Sequence, residues 1–515
     1  MAWLENNGRS LRARDVVGSI VITGDNSGAV IIQTGGARPA ELSLQWTPLK
    51  EITSEPQKHI FTLLSWRGRL VETMIGRERD YQDLIAWAES SDPIAIRFLT
   101  GPGGVGKSRL ALEVATVLKE QKKWSAGLIN LHKRFEIPMM KAGTFLIIDY
   151  PEERRETIRG LLREIRSLDH PPAKLRVLLL SRQPQEWWDS DLAATGVEGL
   201  CDMQGCTVGA LDAADTVHLV RDAIKHLTEL TKTAPVFPAD REIADWHGRQ
   251  PNLHGLPLFA TAAAVHSVLD PASTFSLSGS EIVAALVRRE RQRLDEAARQ
   301  WPGPKAASRL HGLAALRGRL EAATLLALAE KAPDLGLPLP ERVVDEVRNQ
   351  SWWIHDHLSE PQPDLVAAEL LHQILGEQTL ANWLSTVLDS AASLDLGRLE
   401  RLAHDMATLH PGPSNRLVAA LVEAVQQHPE RAAAYLEFLD SEHSFRLAPV
   451  GVIVGQTLLQ QPGLNAAQEA AICNNLANHL SETGDRQGAL GPAQRSVEIR
   501  EALASENPAA YRPAL

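Results

Sequence analysis

Residues 101–108 carry glycines, a lysine and a serine at a spacing that suits a chain of phosphates. The segment Gly101-Pro-Gly-Gly-Val-Gly-Lys-Ser108 fits G-x-x-x-x-G-K-[ST]. The apolar run before it, Ile94–Leu99, predicts a buried strand, and residues 108–118 after it have helical periodicity. Glycines let backbone N–H groups turn inward around phosphates, and a helix start adds partial positive charge. The pattern predicts a nucleotide site in which Lys107 reaches the β- and γ-phosphates.

A second strand is predicted to supply the other support for a magnesium ion. Thr144-Phe-Leu-Ile-Ile-Asp149 is an apolar run that ends in a carboxylate. The Asp149 carboxylate and the Ser108 hydroxyl offer the oxygen ligands that Mg²⁺ prefers. The residues of the loop expected to hold ATP or ADP with this ion are Gly101, Pro102, Gly103, Gly104, Val105, Gly106, Lys107, Ser108 and Arg109.

Hydrolysis of a bound nucleotide needs an acidic residue just beyond the metal carboxylate, to polarise the attacking water. Here Tyr150 follows Asp149, and Glu152 and Glu153 come after Pro151. Either glutamate can serve as the base. Because Tyr150 occupies the position directly after Asp149, we expect hydrolysis to be slow.

A third apolar run, Leu175–Ser181, predicts another strand and is followed by Arg182. An arginine at the carboxyl end of a strand beside the loop can bind the γ-phosphate, because its planar fork matches phosphate oxygens. Arg182 is therefore a candidate for distinguishing ATP from ADP. The alternative is an ion pair with a surface carboxylate.

Together these segments resemble the STAND class of signalling NTPases, relatives of NB-ARC and NACHT proteins. Residues 75–80, Ile-Gly-Arg-Glu-Arg-Asp, are similar to the segment that opens these domains and lines the adenine pocket. That similarity implies nucleotide contacts for Gly76 and Arg77. A set of motifs found in a bacterial branch of this class is similar to residues 149–152, Arg182 and the Glu-Trp-Trp of 186–188. This chain has proline at position 151, where that branch usually has alanine.

Two further motifs extend the resemblance, which covers roughly residues 70–370. Gly255-Leu-Pro-Leu258 resembles the "GLPL" motif, which implies that Pro257 packs on the nucleotide base. Ile354-His-Asp356 can correspond to the "MHD" motif, which implies that His355 contacts the β-phosphate of ADP. Residues 363–365, Pro-Asp-Leu, are an alternative bearer of that role, and His355 then lies in an ordinary surface turn.

The resemblance and the helical texture of the second half divide the chain into six parts. These are a β-rich N-terminal segment (1–36), a linker (37–70), a P-loop NTPase domain (71–235), a helical lid subdomain (236–300), a winged-helix-like subdomain (301–385) and helical or tetratricopeptide-like repeats (386–515). The expected fold class is an α/β P-loop NTPase domain with a parallel sheet, followed by an all-α lid and winged-helix-like region and an α-solenoid.

The C-terminal part contains one clear repeat. Residues 474–508 carry the spacing of a tetratricopeptide repeat of about 34 residues, with Gly484 at the turn. Residues 395–465 have helical texture and can be degenerate repeats. The last residues, 511–515, resemble the start of another repeat. A solenoid usually ends in a polar capping repeat, so we expect a longer natural chain or a truncated gene.

The first 36 residues have a different composition. Gly18–Thr23 and Gly28–Gln33 are β-branched, free of proline and almost uncharged, which is typical of self-templating β-stacks. Residues 32–35, Ile-Gln-Thr-Gly, resemble the core of amyloid signalling motifs, which implies a separate effector with a matching motif. The alternative is a two-stranded hairpin packed on the NTPase domain.

Charge and composition narrow the function classes. The net charge of −11 argues against a nucleic-acid-binding surface, which needs dense lysine and arginine. The sequence contains neither a run of about 18 apolar residues nor a signal-peptide core, so no membrane association and a cytoplasmic location are expected. Three cysteines are too few for a disulfide framework, and their spacing does not suggest zinc.

The expected function is an ATP/ADP-dependent signalling switch in bacterial immunity or regulation. A protein or ligand trigger would bind the C-terminal repeats, and the activated chain would self-associate. Alternatives are an AAA+-like ATPase that remodels a protein substrate and a STAND-type transcriptional regulator, although no DNA-binding motif stands out at either end.

Overall fold

The computed structural model describes residues 3–6, 9–12, 29–31, 43–45, 60–130, 136–138, 142–168, 173–202, 205–349, 353–354, 356–377, 396–412, 415–435 and 446–506. The chain divides into two compact units, Met1–Ile282 and Val283–Leu515.

The first unit is built on a sheet of six described strands. In spatial order they are Cys206–Thr207, Ile94–Thr100 (the P-loop strand), Leu175–Ser181 (the Arg182 strand), Thr144–Asp149 (the Asp149 strand), Ser125–Asn130 and Ser43–Gln45. The first five run parallel, and the last is antiparallel to its neighbour. The P-loop strand and the Arg182 strand are buried throughout, as parallel strands covered on both faces require. The predicted parallel α/β sheet is confirmed.

Helices make up most of the remainder of the first unit. Those described are Ile60–Leu64, Glu78–Glu89, Lys107–Lys122 (the P-loop helix), Arg155–Arg166, Asp189–Thr195, Ala213–Thr231, Asp240–Arg249, Pro251–His254 and Pro257–Leu269. A further helix, Gly279–Ala297, contains the division between the units. An apolar cluster that includes Ile148, Leu161 and Val177 joins the sheet to the helix Arg155–Arg166.

Short strands are described in the N-terminal 59 residues. Trp3–Asn6 pairs antiparallel with Arg9–Arg12, and Ala29–Ile31 pairs antiparallel with Glu136–Pro138. The predicted strand Gly18–Thr23 lies outside the described residues. Of the second predicted segment, Gly28–Gln33, the described residues Ala29–Ile31 pair with a strand of the first unit.

Residues 60–68, which fall within the predicted linker, belong to the folded first unit. All five residues of the helix Ile60–Leu64 are buried. A 3₁₀ turn, Trp66–Gly68, follows it directly. The chain is therefore packed before the expected start of the NTPase domain at residue 71.

The second unit begins with helices and a small sheet. Its described elements up to residue 375 are Ala306–Arg317, Arg319–Glu321, Ala322–Lys331, Pro340–Arg348, Trp353–Ile354, His357–Ser359 and Asp364–Leu375. His357–Ser359 is the central strand of this sheet and is antiparallel to both neighbours.

The remainder of the second unit is helical in its described part. Its helices are Leu396–Leu409, Arg416–Gln427, Ala448–Leu459, Ala466–Glu482 and Arg486–Glu506. The last two pack on each other, with Ser496 Oγ donating to the Ala470 carbonyl at 2.8 Å. Gly484, at φ 91° in the turn between them, has the left-handed backbone that favours glycine. None of the helices described here is long and apolar enough to cross a membrane.

Candidate functional site

The loop between the P-loop strand and the P-loop helix has a backbone suited to surrounding phosphates. Gly101, Gly104 and Gly106 have φ values of 145°, 79° and 99°. These positive values favour glycine because a side chain would clash with the backbone. The P-loop helix starts directly after Gly106, and the N–H groups of a first helical turn have no partner within the helix. The loop therefore offers backbone donors to an anion.

The Lys107 ammonium lies against this loop. Its Nζ donates to the carbonyl oxygens of Gly101 at 2.6 Å and Pro102 at 3.1 Å, and the side chain is buried. A phosphate oxygen can replace these carbonyls, because hydrogen bonds between two charged groups are stronger than those to a neutral acceptor.

Ser108 and Asp149 form the second half of the site. Ser108 Oγ donates to Asp149 Oδ2 at 2.8 Å, which joins the first turn of the P-loop helix to the end of the Asp149 strand. A hydroxyl and a carboxylate are hard oxygen ligands of the kind that Mg²⁺ takes alongside water and phosphate. The two residues predicted as metal ligands are thus adjacent, and their chemistry fits the ion.

The chain turns sharply beyond Asp149. Tyr150 has φ 54° and ψ 56°, a left-handed conformation that is uncommon for a residue other than glycine. In the following 3₁₀ turn, Pro151–Arg154, the Glu152 carboxylate accepts a hydrogen bond from the Arg182 backbone N–H at 3.1 Å. One predicted base is therefore bound to the end of the Arg182 strand. The side chain of the other, Glu153, lies outside the described residues.

Arg182 emerges from the strand that lies between the P-loop strand and the Asp149 strand. Its guanidinium carbon is 5.5 Å from the centre of the Tyr150 ring. The buried Trp188 supports this strand end, since its Nε1 donates to Ser181 Oγ at 3.2 Å. The sheet thus places Arg182 between the two halves of the site. Its γ-phosphate contact stays a prediction.

Arg77 supports the phosphate loop, and Gly76 precedes it in the chain. Arg77 Nη2 donates to the carbonyl oxygens of Val105 at 3.2 Å and Gly209 at 2.7 Å. Burial lowers the pKa of Arg77, and nearby carboxylates, Asp80 first, oppose the shift. At Gly76 an added Cβ would lie 2.3 Å from a carboxylate oxygen of Asp215. The described hydrogen bonds of the Arg77 side chain are thus with backbone carbonyls, one of them in the phosphate loop, and an adenine contact stays a prediction.

Arg109 binds the chain that leads into the Arg77 segment. Its Nη2 donates to the carbonyl oxygens of Val71 at 2.6 Å and Glu72 at 2.9 Å. Burial lowers the pKa of Arg109, and Glu113 opposes the shift. The described hydrogen bonds of Arg109 therefore indicate an anchoring role, which differs from the nucleotide contact expected from its position after Ser108.

The Gly255–Leu258 segment reaches the phosphate loop. Pro257 is the first residue of the helix Pro257–Leu269, and the Leu258 N–H donates to the Gly104 carbonyl at 3.2 Å. Gly255 is needed at its position, because an added Cβ would lie 2.5 Å from the Leu211 carbonyl oxygen. The contact of Pro257 with a base stays a prediction. So does the β-phosphate contact of His355, which lies outside the described residues.

One cation of the site carries no sequence pattern. Arg67 lies in the 3₁₀ turn Trp66–Gly68, which packs on the P-loop helix. Burial lowers the pKa of Arg67, and the Asp149 carboxylate opposes the shift. Sequence reasoning missed this residue because its position near Asp149 depends on packing between distant segments.

The first unit has a P-loop NTPase-like fold. A buried strand, a glycine loop and a helix lie at the carboxyl edge of a parallel sheet, with Ser108 hydrogen-bonded to Asp149 of a second strand.

Sequence comparison found neither a matching protein family nor a similar curated protein. One solved structure with some similarity is that of the Aeropyrum pernix ORC2 protein in ADPNP–ADP complexes, with 13% sequence identity and a TM-score of 0.30. The match covers 57% of this chain and 86% of that chain.

Proposed function

We propose that this chain binds ATP and ADP with Mg²⁺ at the phosphate loop and uses the two states as a switch. The observation that carries the proposal is the 2.8 Å hydrogen bond between Ser108 Oγ and Asp149 Oδ2. It lies at the edge of the sheet where Lys107 binds the glycine loop. A hydroxyl, a carboxylate and an ammonium meet there, as nucleotide phosphates and their metal ion require.

Each of these groups has a defined task in the proposal. Ser108 and Asp149 hold Mg²⁺, which neutralises phosphate charge when it is bound. Lys107 exchanges the carbonyls of Gly101 and Pro102 for the β- and γ-phosphates. The backbone N–H groups of the loop donate to the remaining phosphate oxygens.

Slow hydrolysis suits a switch, and the environment of Glu152 supports it. The Glu152 carboxylate accepts the Arg182 N–H, an interaction that competes with activation of a water molecule. We therefore expect turnover well below the value of about 10 s⁻¹ that is typical of enzymes.

The contact between the loop and the helix Pro257–Leu269 offers a route from nucleotide to conformation. Because Leu258 donates to the Gly104 carbonyl, a rearrangement of the loop changes the support of this helix. Reversing a 1:99 equilibrium takes about 5.5 kcal/mol of differential affinity. Two or three charge-assisted hydrogen bonds to a γ-phosphate, at roughly 1.5–3 kcal/mol each, are of that order.

The finer proposal is a STAND-type signalling switch in bacterial immunity or regulation. The described order of helix, strand, two helices, two strands and helix over 306–375 supports a winged-helix-like subdomain. The packed helices Ala466–Glu482 and Arg486–Glu506 support a tetratricopeptide-like repeat. We propose that a protein or ligand trigger binds within 386–515 and that the ATP form self-associates. Residues 1–36 would then pass the signal to an effector with a matching β motif.

Calorimetry on a Lys107→Ala variant tests nucleotide binding. Losing the ammonium should lower the affinity for Mg–ATP by roughly 10- to 100-fold. Lys119→Ala is the matched control, because Lys119 is exposed near the far end of the same helix. An unchanged affinity in Lys107→Ala would contradict the proposal. Steady-state turnover with mass photometry tests the switch, and fast turnover without any trigger would favour a remodelling ATPase.

A further inference from the structure

The chain just before the nucleotide-binding region follows a fixed path. Ser65 Oγ accepts the Arg67 N–H at 3.3 Å and caps the turn Trp66–Gly68. An added Cβ at Gly68 would lie 2.2 Å from the Thr62 carbonyl oxygen, so the turn packs tightly on the helix Ile60–Leu64. The position of Arg67 is therefore set by its backbone.

This segment (residues 60–71) touches two elements of the proposed site. The helix Ile60–Leu64 packs on the helix Pro257–Leu269, and Trp66–Gly68 packs on the P-loop helix. Arg69 pairs with Glu113, and Arg109 donates to the Val71 carbonyl at 2.6 Å. Both ion-pairing and hydrogen-bonding anchors thus hold the segment along the first turns of the P-loop helix.

Arg67 is the arginine of this segment for which no carboxylate lies within salt-bridge distance among the described residues. Its Nε is shielded from solvent and has no hydrogen-bond acceptor among the described residues. The guanidinium carbon is 5.4 Å from the centre of the Trp66 ring. The Asp149 carboxylate interacts with this guanidinium and acts to raise its pKa, against the larger effect of burial. An arginine keeps its charge in such surroundings, so a buried cation that packs along the P-loop helix interacts electrostatically with the metal carboxylate.

We propose that Arg67 binds the terminal phosphate of ATP and thereby links the nucleotide state to residues 60–71. This inference rests on the proposed nucleotide function. Asp149 and Ser108 would hold a metal ion that would neutralise phosphate charge, so a cation that interacts with Asp149 would be well placed to bind the terminal phosphate that ADP lacks. Since the segment precedes the nucleotide-binding region, it would carry the ATP signal toward the N-terminal residues.

The test compares nucleotide selectivity in Arg67→Gln and Arg69→Gln, measured by calorimetry on the full chain with Mg-bound ATPγS and ADP. In Arg67→Gln we expect the affinity for ATPγS to fall by about 10-fold or more, as loss of a charge-assisted bond implies. The affinity for ADP should stay within about 2-fold. Arg69→Gln, which loses only the pair with Glu113, should leave the ratio of the two affinities unchanged.

Two results separate failure of this inference from failure of the proposed function. If Lys107→Ala leaves both affinities unchanged, the nucleotide site itself is wrong. Only the Arg67 inference is overturned if Lys107→Ala weakens nucleotide binding while Arg67→Gln lowers the affinities for ATPγS and ADP equally or leaves both unchanged. Should Arg67→Gln lose cooperative thermal unfolding, Arg67→Met, which keeps a long apolar side chain but no charge, decides instead. A reduced preference for ATPγS then supports the inference, and an unchanged preference overturns it.

Discussion

Glu152 and Arg182 cannot be considered independently. The Glu152 carboxylate accepts the Arg182 backbone N–H, so it positions the residue proposed to distinguish ATP from ADP. A substitution at Glu152 can therefore alter nucleotide selectivity as well as the rate of hydrolysis.

Glutamine and alanine at position 152 separate these two effects. Glu152→Gln keeps a carbonyl acceptor for the Arg182 N–H but removes the base, so hydrolysis should slow while the ratio of ATP and ADP affinities stays constant. Glu152→Ala removes both the base and the acceptor for the Arg182 N–H. This variant should therefore slow hydrolysis and also lower the ratio of ATP affinity to ADP affinity. Single-turnover rates and calorimetry measure these outcomes. A normal rate in Glu152→Gln would leave Glu153 as the predicted base.

Arg182→Ala tests selectivity directly. The guanidinium can bind a γ-phosphate that ADP does not have, so we expect ATP affinity to fall by roughly 10-fold or more and ADP affinity to change little. Competition binding with both nucleotides measures the ratio. Arg241→Ala, whose side chain is 91% exposed, is the control. An equal loss for both nucleotides would indicate a structural role for Arg182.

Glu164 makes the stability of the first unit depend on pH. It is 1% exposed on the helix Arg155–Arg166, and neither carboxylate oxygen has a hydrogen-bond partner within the described part of the chain. Burial raises its pKa from 4.5 to about 8. Between these values the unfolded chain loses the proton and the folded chain keeps it, so this group lowers stability as pH rises from about 4.5 to about 8.

Glu164→Gln should remove that dependence. The variant should gain roughly 2–4 kcal/mol in free energy of unfolding at pH 8 relative to the parent, and little at pH 4.5. Urea unfolding of both proteins across this pH range measures the difference. Parallel pH profiles would show that Glu164 does not titrate in this window.

At the element scale, the support of the phosphate loop depends on close backbone approaches. The Leu211 N–H donates to the Gly255 carbonyl at 2.7 Å, and the Leu258 N–H donates to Gly104. The Leu258 hydrogen bond joins the start of the helix Pro257–Leu269 to the phosphate loop, and the other bond joins the preceding turn to Leu211. A substitution that shifts this turn should therefore also disturb the loop through the helix start.

Gly255→Ala tests this coupling. The new methyl group would stand 2.5 Å from the Leu211 carbonyl oxygen and 2.7 Å from that of Pro251, so the turn must shift. We expect a loss of about 1–3 kcal/mol of stability and weaker binding of both nucleotides. Gly248→Ala is the control, because its added Cβ meets no atom within 4 Å. Unchanged binding in Gly255→Ala would show that the turn does not support the loop.

At the scale of the whole molecule, the N-terminal residues are proposed to assemble and the first unit to bind nucleotide. The described link between them is the pairing of Ala29–Ile31 with Glu136–Pro138, while Ser43–Gln45 extends the central sheet. Removing the first of these strands should therefore spare the sheet.

Deletion of residues 1–36 tests this separation. We expect thermal unfolding and ATP affinity to stay unchanged while signalling in cells is lost, because exposed β-branched strands template other chains. Ile31→Lys should have the same effect, since an unpaired charge in a stack is not solvated. A peptide of residues 14–36 should form thioflavin-positive fibrils. A monomeric peptide, or a deletion that unfolds the first unit, would favour the hairpin alternative.

Local sequence patterns were sufficient to predict the elements whose structure depends on neighbouring residues. The strand–loop–helix around residues 101–108 follows from an apolar run, three glycines with positive φ and a helical period. Asp149 could be placed at a strand end for the same reason, because an apolar run buries itself until a charged residue ends it. Short-range backbone preference and burial suffice for these features.

The way in which these elements come together depends on packing between segments that are distant in sequence. Insertion of the Arg182 strand between the P-loop strand and the Asp149 strand depends on pairing between segments far apart in sequence, which local patterns do not encode. The same holds for Arg109, which binds the carbonyls of residues 71–73, and for Arg67, which lies near Asp149. A long, flexible side chain takes the partners that packing brings within its reach, so residue type and sequence position alone did not specify these contacts.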